Sequence, residues 1–292
     1  MEKLKKQSFP SVSTHDWKVK AEQSLKGKTV ESLQTTTYEN IILKPLYTQE
    51  DETNVPDYPG GSDFRRGIFP LGYVTNDWEI AQRLSCQTAE ELKEKLYHSF
   101  EKGQTAISFS VSKDWLDINL VKGLVDSYSH YPFAINAKDS QAAFLALLEK
   151  TLEQVGTGDK FRGYIGSDPV AIFATEGNIS EEFFKVWINQ IRSSTEMFPN
   201  LRTILIDTAP YHNGGASAVQ ELGVAIAEGV FYLEQFQQAR LELYEIFAKM
   251  IFQFSIGSNF FMEIAKLRSA RILWDRISSI YGANNHMSKL NI

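Results

Sequence analysis

Short apolar runs and longer amphipathic segments alternate along most of the chain. Phe69–Val74, Thr105–Val111, Pro132–Asn136, Phe161–Ile165, Arg202–Asp207 and Ile251–Ile256 are brief and rich in β-branched or aromatic residues, and each reads as a strand. Between them apolar residues return at steps of three and four, the period of a helix with one buried face. Strand and helix in alternation imply a parallel sheet wrapped by helices. Lys289–Ile292 then begins a further strand. A closed eight-stranded barrel takes about 250 residues, so the pattern predicts an α/β chain of the (β/α)8 TIM-barrel type, incomplete at its C-terminus. An open sheet is the alternative that the same count allows.

Local signals fix some of the ends. Thr88 followed by Glu91 forms a capping-box pattern, and Ser180 precedes Glu181 and Glu182, carboxylates that suit the positive end of a helix. In the helix from Ser258 to Ser279, Phe260, Ile264, Leu267, Ala270, Trp274 and Ile277 form a stripe expected to face the sheet. Ahead of the barrel pattern come a short helix, Asp16–Lys26, with Trp17, Ala21 and Leu25 on one face and Gly27 as its stop, and a strand, Thr35–Leu43. Thr48–Gly67 collects Asp, Pro and Gly, including Val55-Pro56 and Tyr58-Pro59-Gly60-Gly61, and reads as an irregular loop. Residues 1–64 are therefore expected to form an N-terminal arm suited to a subunit contact, and residues 65–292 the barrel domain with six to seven of its eight strands.

Composition narrows the partners. The 292 residues are 43% hydrophobic and 12% aromatic, enough to bury a sizeable core. A formal charge of −6, with lysines and arginines dispersed among carboxylates, argues against a nucleic-acid partner. A single cysteine, Cys86, excludes an intrachain disulfide and a cysteine-based zinc cluster, and is expected to act as a small buried hydrophobe. Met1–Pro10 lacks the apolar core of a signal peptide and no run reaches the roughly 18 apolar residues of a membrane span, so no membrane contact and a cytoplasmic location are expected.

Few residues advertise chemistry. Gly156-Thr157-Gly158 lacks the third glycine of a dinucleotide fingerprint, and Glu22 stands where a phosphate-binding loop ending in Gly27-Lys28-Thr29 needs glycine. The histidines, His15, His98, His130, His212 and His286, are too scattered for a metal site. The informative stretch is Asp207–Ala216, which follows a strand and precedes a helix carrying Val219, Leu222, Ile226, Val230 and Leu233. On a barrel this puts Tyr211 and His212 at the mouth. A histidine there can donate a hydrogen bond to a carbonyl or act as general acid, and a tyrosine can pack beside a substrate; a loop histidine satisfied by backbone groups is the plainer alternative. Tyr73, at the end of the first strand, is a second candidate, with ordinary barrel lining as its alternative. Arg65 and Arg66 could pair with a nucleotide phosphate or simply face solvent.

At these residues the sequence resembles the methylmalonyl-CoA mutase family. The matching stretches are Trp17 through Ala21-Glu22 to Leu25-Lys26-Gly27-Lys28, Lys44-Pro45-Leu46-Tyr47-Thr48, Arg66-Gly67 to Pro70 and Tyr73, Tyr211-His212, Gln220-Glu221-Leu222, and the long, specific run from Asn259 to Arg268. They keep the family's order over nearly the whole chain and are weakest from Ala89 to Pro199. The resemblance implies a barrel threaded by the pantetheine arm of an acyl-CoA, a separate cobalamin-carrying domain, and interconversion of methylmalonyl-CoA and succinyl-CoA through a radical supplied by adenosylcobalamin. It implies that Tyr73 matches the tyrosine lying over the substrate, Tyr211 the tyrosine before the histidine, and His212 the histidine that hydrogen-bonds the thioester carbonyl.

The departures point elsewhere. Catalytic chains of the family carry an arginine upstream of the Tyr-His pair to clamp the substrate carboxylate, and the corresponding region here, Ile179–Lys185, has none. The arginine of the Tyr-Thr-Phe-Arg-Pro-Trp pattern is also lost, the run reading Tyr73-Val-Thr-Asn76-Asp-Trp78. Asn213–Ser217 resembles the small subunits of heterodimeric mutases, and the Asp-x-His-x-x-Gly pattern whose histidine ligates cobalt is absent. The expectation is a structural small subunit partnering a catalytic large subunit. Adenosylcobalamin then belongs to the holoenzyme and is not bound by this chain alone, and an acyl-CoA is a candidate ligand. Alternatives are a portion of a catalytic acyl-CoA mutase without its cobalamin domain, or a mutase for a different acyl group.

Overall fold

The computed structural model describes residues 11–51, 58–61, 63–152, 156–284 and 286–292. The expectations for Met1–Pro10 and Val55-Pro56 lie outside the described residues, as does the role expected of the Tyr73 side chain. The chain divides into two compact units, Met1–Pro56 and Asp57–Ile292.

In the first unit, helix α1 (Thr14–Ser24) begins two residues before the expected start because Ser13 caps it. The Ser13 hydroxyl accepts from the Asp16 amide at 3.1 Å while the Asp16 carboxylate accepts from the Ser13 amide at 3.1 Å, so two orphan donors are satisfied reciprocally. The strand expected over Thr35–Leu43 is instead a small hairpin, β1 (Thr35–Thr36) antiparallel to β2 (Ile42–Leu43). The chain reverses at Asn40, whose φ of 61° is a left-handed conformation that asparagine tolerates.

The second unit is built on four parallel strands, β3 (Phe133–Asn136), β4 (Gly163–Ser167), β5 (Leu201–Asp207) and β6 (Met250–Gln253), adjacent in chain order. Extended segments continue the sheet on both sides. Ile107 donates to the Pro132 carbonyl and accepts from the Ala134 amide, both at 2.8 Å, and Leu84 is bridged to Ser108 and Ser110 at 3.1 and 2.8 Å. At the far edge the Phe252 amide donates to the Asn291 carbonyl at 2.9 Å. The architecture is an incomplete (β/α) barrel.

Two of the expected strands need correction. Phe69–Val74 is not a strand: Gly72–Val74 forms a 3-10 turn, and Pro70 and Gly72, with φ at +52°, break an apolar run that otherwise reads as extended. The first sheet segment lies further on, at Leu84. Thr105–Val111 is reduced to bridges at Ile107 and Phe109.

The wrapping helices are α2 (Ala89–Glu101), α3 (Ile118–Tyr128), α4 (Gln141–Glu149), α5 (Pro169–Glu176), α6 (Glu181–Met197), α7 (Ala209–Asn213), α8 (Ala218–Gln238), α9 (Leu243–Lys249) and α10 (Phe260–Ile280). Thr88 and Ser180 cap α2 and α6 by accepting from the Glu91 and Phe183 amides. Outward-facing strand residues such as Phe133, Ile135, Ile204, Ile206 and Phe252 pack against these helices in two apolar clusters. Cys86 is half-buried at the edge of the first, and its burial pushes the thiol up. The opposite strand faces, carrying Ala134, Tyr164, Leu205 and Ile251, line the bore by the two-residue alternation of a strand. No helix among the described residues is long and apolar enough to cross a membrane.

The stripe expected on α10 is half right. Ala270 and Trp274 are buried against the sheet, with Trp274 stacked edge-on against Phe252 at 4.8 Å. Phe260, however, is 68% exposed and Ile264 faces outward. The inward positions of the first turns are taken by Glu263 and Lys266, which a hydropathy pattern assigns to solvent.

Candidate functional site

β5 ends at Asp207 and the chain turns at once into the short helix α7, so the backbone carries Tyr211 and His212 to the C-terminal edge of the sheet. Each is tied to a glutamate on α8. The Nδ1 of His212 lies 3.3 Å from Oε2 of Glu221, and the Tyr211 hydroxyl donates to Oε1 of Glu228 at 2.5 Å. Glu221 and Glu228 are seven residues apart, two turns along one helical face, so a single helix anchors both side chains.

Glu221 is 0% exposed and would be costly without partners. It accepts from the Thr208 hydroxyl at 2.5 Å, the Ser255 amide at 2.9 Å and the Lys266 ammonium at 2.7 Å. Burial pushes its carboxyl up, but the bonds from Lys266, Thr208 and Ser255 outweigh burial and hold it below the usual carboxylate range. Lys266 is itself buried and also meets Glu263 at 2.5 Å and the Ser255 carbonyl at 2.6 Å. With the Glu221 carboxylate accepting at Nδ1, the His212 Nε2 accepts in the neutral ring and donates only when the ring carries both protons.

The Tyr211 side of the site is acidic. Asp168 caps α5, accepting from the Ala171 amide at 3.0 Å, and also takes the Tyr232 hydroxyl at 2.5 Å and the Asp207 amide at 2.6 Å. Burial and the nearby Asp168 push Glu228 up to about 9, and burial also raises Asp168. Oε2 of Glu228 has no donor among the described residues. The Glu228–Asp168 pair therefore holds a proton at neutral pH, since two carboxylates cannot both ionise at this separation from water. Burial and the Glu228 hydrogen bond push the Tyr211 phenol upward.

Below this cluster, Asp207 joins three strands. It accepts from Asn136 of β3 at 2.8 Å and Gln253 of β6 at 2.9 Å. Glycine at 166 gives the layer room, because a Cβ there would stand 2.7 Å from the Leu205 Cβ. Burial raises the Asp207 carboxyl, countered by its bond from the Ala209 amide and by the cations Arg83 and Lys138. A cavity of about 310 Å³ remains in the bore, bordered by Ala134, Tyr164, Leu205, Ile251 and Phe254.

A model of the methylmalonyl-CoA mutase family matches residues 36–114 and 121–291. The chain belongs to that family. It is 31% identical over 285 residues to the methylmalonyl-CoA mutase small subunit of Streptomyces virginiae, covering 94% of this chain and 46% of that protein. The small subunit of Porphyromonas gingivalis is 30% identical over 94% of this chain and 45% of its own length. The large subunit of Streptomyces virginiae is 27% identical over 96% of this chain and 42% of its own length. The chain thus spans less than half the length of these mutase relatives.

The structure brings Tyr211 and His212 together on α7. Tyr73 is not at a strand end; its backbone lies in the Gly72–Val74 turn, before the sheet begins. Sequence reasoning placed Glu221 and Lys266 in the mutase motifs without assigning them work, and missed Glu228 and Asp168. A usable signal exists for the two glutamates: they share the face of α8 that carries Leu222, Ala225 and Tyr232, so both are buried.

Proposed function

We propose that this chain is a structural small subunit, the partner of the catalytic large subunit of an adenosylcobalamin-dependent methylmalonyl-CoA mutase, working in the cytoplasm. The observation that carries this reading is the inside of the barrel. A channel for a pantetheine arm and an anionic acyl group requires small side chains and cations. Here Tyr164, Leu205 and Ile251 occupy the inner face, and the Asn136–Asp207–Gln253 layer spans its C-terminal end with a carboxyl at the centre that offsets the nearby cations Arg83 and Lys138. Tyr211 faces a further pair of acids, Glu228 and Asp168, and among the described residues no arginine is bonded to it. The somewhat higher identity to the small subunit than to the large subunit of the same organism supports the same choice.

Adenosylcobalamin supplies a carbon radical by homolysis of its cobalt–carbon bond. On this reading the cofactor belongs to the large subunit, which is supported by the lack of an Asp-x-His-x-x-Gly pattern in this sequence; the Nδ1 contact of His212 with Glu221 leaves its Nε2 open and does not decide the matter.

A second reading, a portion of a catalytic chain, draws on the ordered placement of His212 beside Glu221. Co-expression with a methylmalonyl-CoA mutase large subunit separates the two. The partner reading expects a stable complex on size exclusion and mutase activity that is unchanged by His212→Ala. No complex would sink it, and loss of activity in the variant complex would favour the catalytic reading.

A further inference from the structure

Helix α10 presents two arginines three residues apart, Arg268 and Arg271, on the same face. The loop that precedes the sheet brings Arg65 and Arg66 against them, so four guanidinium groups distant in sequence line one groove of about 490 Å³. Its remaining lining, Pro59, Ile264 and Leu267, is apolar, and no carboxylate is among the described lining residues. Asp63, beside the groove, pairs with Arg65 at 2.5 Å. Arg271 is half-buried and donates to the Leu267 carbonyl at 3.2 Å; burial and the neighbouring Arg268 cation both lower its pKa. Positive charge is thus gathered in one place on a chain whose formal charge is −6.

Clustered guanidiniums repel one another, and partial desolvation raises that cost. An oxyanion relieves it, and the planar fork of arginine matches phosphate oxygens in pairs. The volume suits a small molecule, and the apolar lining gives the non-phosphate part a surface. We propose that the groove between the Arg65–Arg66 loop and α10 is a binding site for a small phosphate-bearing molecule with at least two negative charges. Arg66 and Arg268 are its accessible donors and Arg271 its half-buried anchor. The proposal is independent of the subunit assignment, since it concerns a face remote in sequence from Tyr211 and His212.

The test is titration calorimetry of the full chain with inorganic pyrophosphate and with ADP, at fixed ionic strength set by chloride. Saturable one-to-one binding is expected, weakened about tenfold by Arg66→Gln or Arg268→Gln, because each substitution removes a charge-assisted bond. Both residues are exposed, so both variants keep the fold. Lys185→Gln on α6 makes the same charge change outside the groove and is expected to bind like the parent. Tighter binding of ADP identifies a nucleotide-type ligand, and equal binding identifies a free polyphosphate. The proposal is overturned if neither probe saturates, if all three variants weaken binding alike, or if poly-glutamate binds in an Arg268-dependent way while pyrophosphate does not.

Discussion

Two glutamates on one helix face end in opposite electrical states, and their neighbours decide which. Glu221 meets a lysine and a backbone amide and is held as a carboxylate; Glu228 meets Asp168 and a phenol and is pushed up to about 9. A carboxyl with a depressed pKa adds stability that is present above the unfolded value near 4.5 and lost as pH falls. A carboxyl with a raised pKa does the reverse, so the Glu228 contribution is complete below about 4.5 and drains away as pH climbs from there toward 9. Glu228→Gln removes the ionisation, keeps an acceptor for Tyr211 and offers an amide to Asp168. Urea unfolding at pH 5 and pH 8 is expected to show the variant gaining at least about 1 kcal/mol on the parent at pH 8 relative to pH 5; a parallel loss in both proteins would place the proton elsewhere. Lys266→Met acts on the other glutamate. It strands Glu221 and Glu263 without their cation and is expected to cost about 3–5 kcal/mol, part of which Glu221→Gln in the same chain restores by removing the uncompensated charge.

Helix α10 shows how far an element can be read from its pattern. The expected span, Ser258 to Ser279, lies close to the observed Phe260–Ile280, and the buried Ala270 and Trp274 sit where the period puts them. The first two turns invert the rule: Phe261 is 81% exposed while Glu263 and Lys266 point inward. Periodicity counts apolar residues and cannot see a buried ion pair whose other half, Glu221, lies on another helix. The same limit hid the acids behind Tyr211. Asp168 reads locally as a helix cap and Glu228 as a polar residue in an apolar helix, and only the fold sets them side by side. The Tyr211-His212 turn, by contrast, was legible because strand, turn and helix are consecutive. Unfolding measurements can check the inverted stripe: Trp274→Ala is expected to cost about 3–5 kcal/mol, as loss of a buried indole does. Phe261→Ser is expected to stay within about 0.5 kcal/mol, and an equal penalty for both would return Phe261 to the core.

Across the whole barrel, order is concentrated in the middle of the chain. β3 with β4 and β5 with β6 form ladders in unbroken register, β4 and β5 pair through a register shift between Tyr164 and Ser167, and their outer faces feed both apolar clusters. The segments around Leu84 and Ile107 join the same sheet through single bridges. This explains why the alternation of strand and helix was readable from Pro132 onward and misleading before it: a run that makes one bridge needs neither the length nor the β-branched density of a central strand, while Phe69–Val74, which has the apolar content, is broken by Pro70 and Gly72. A difference in pairing should appear as a difference in local opening, because an amide in a continuous buried ladder exchanges only through large unfolding, whereas one in an isolated bridge needs a smaller one. Native-state hydrogen exchange is therefore expected to find the β5 amides from Ile204 to Ile206 among the slowest in the chain, and those of Leu84 and Ser110 faster by at least about tenfold. Equal protection at both places would mean that the barrel opens as one cooperative unit, and that the bridged segments are held as firmly as the ladders beside them.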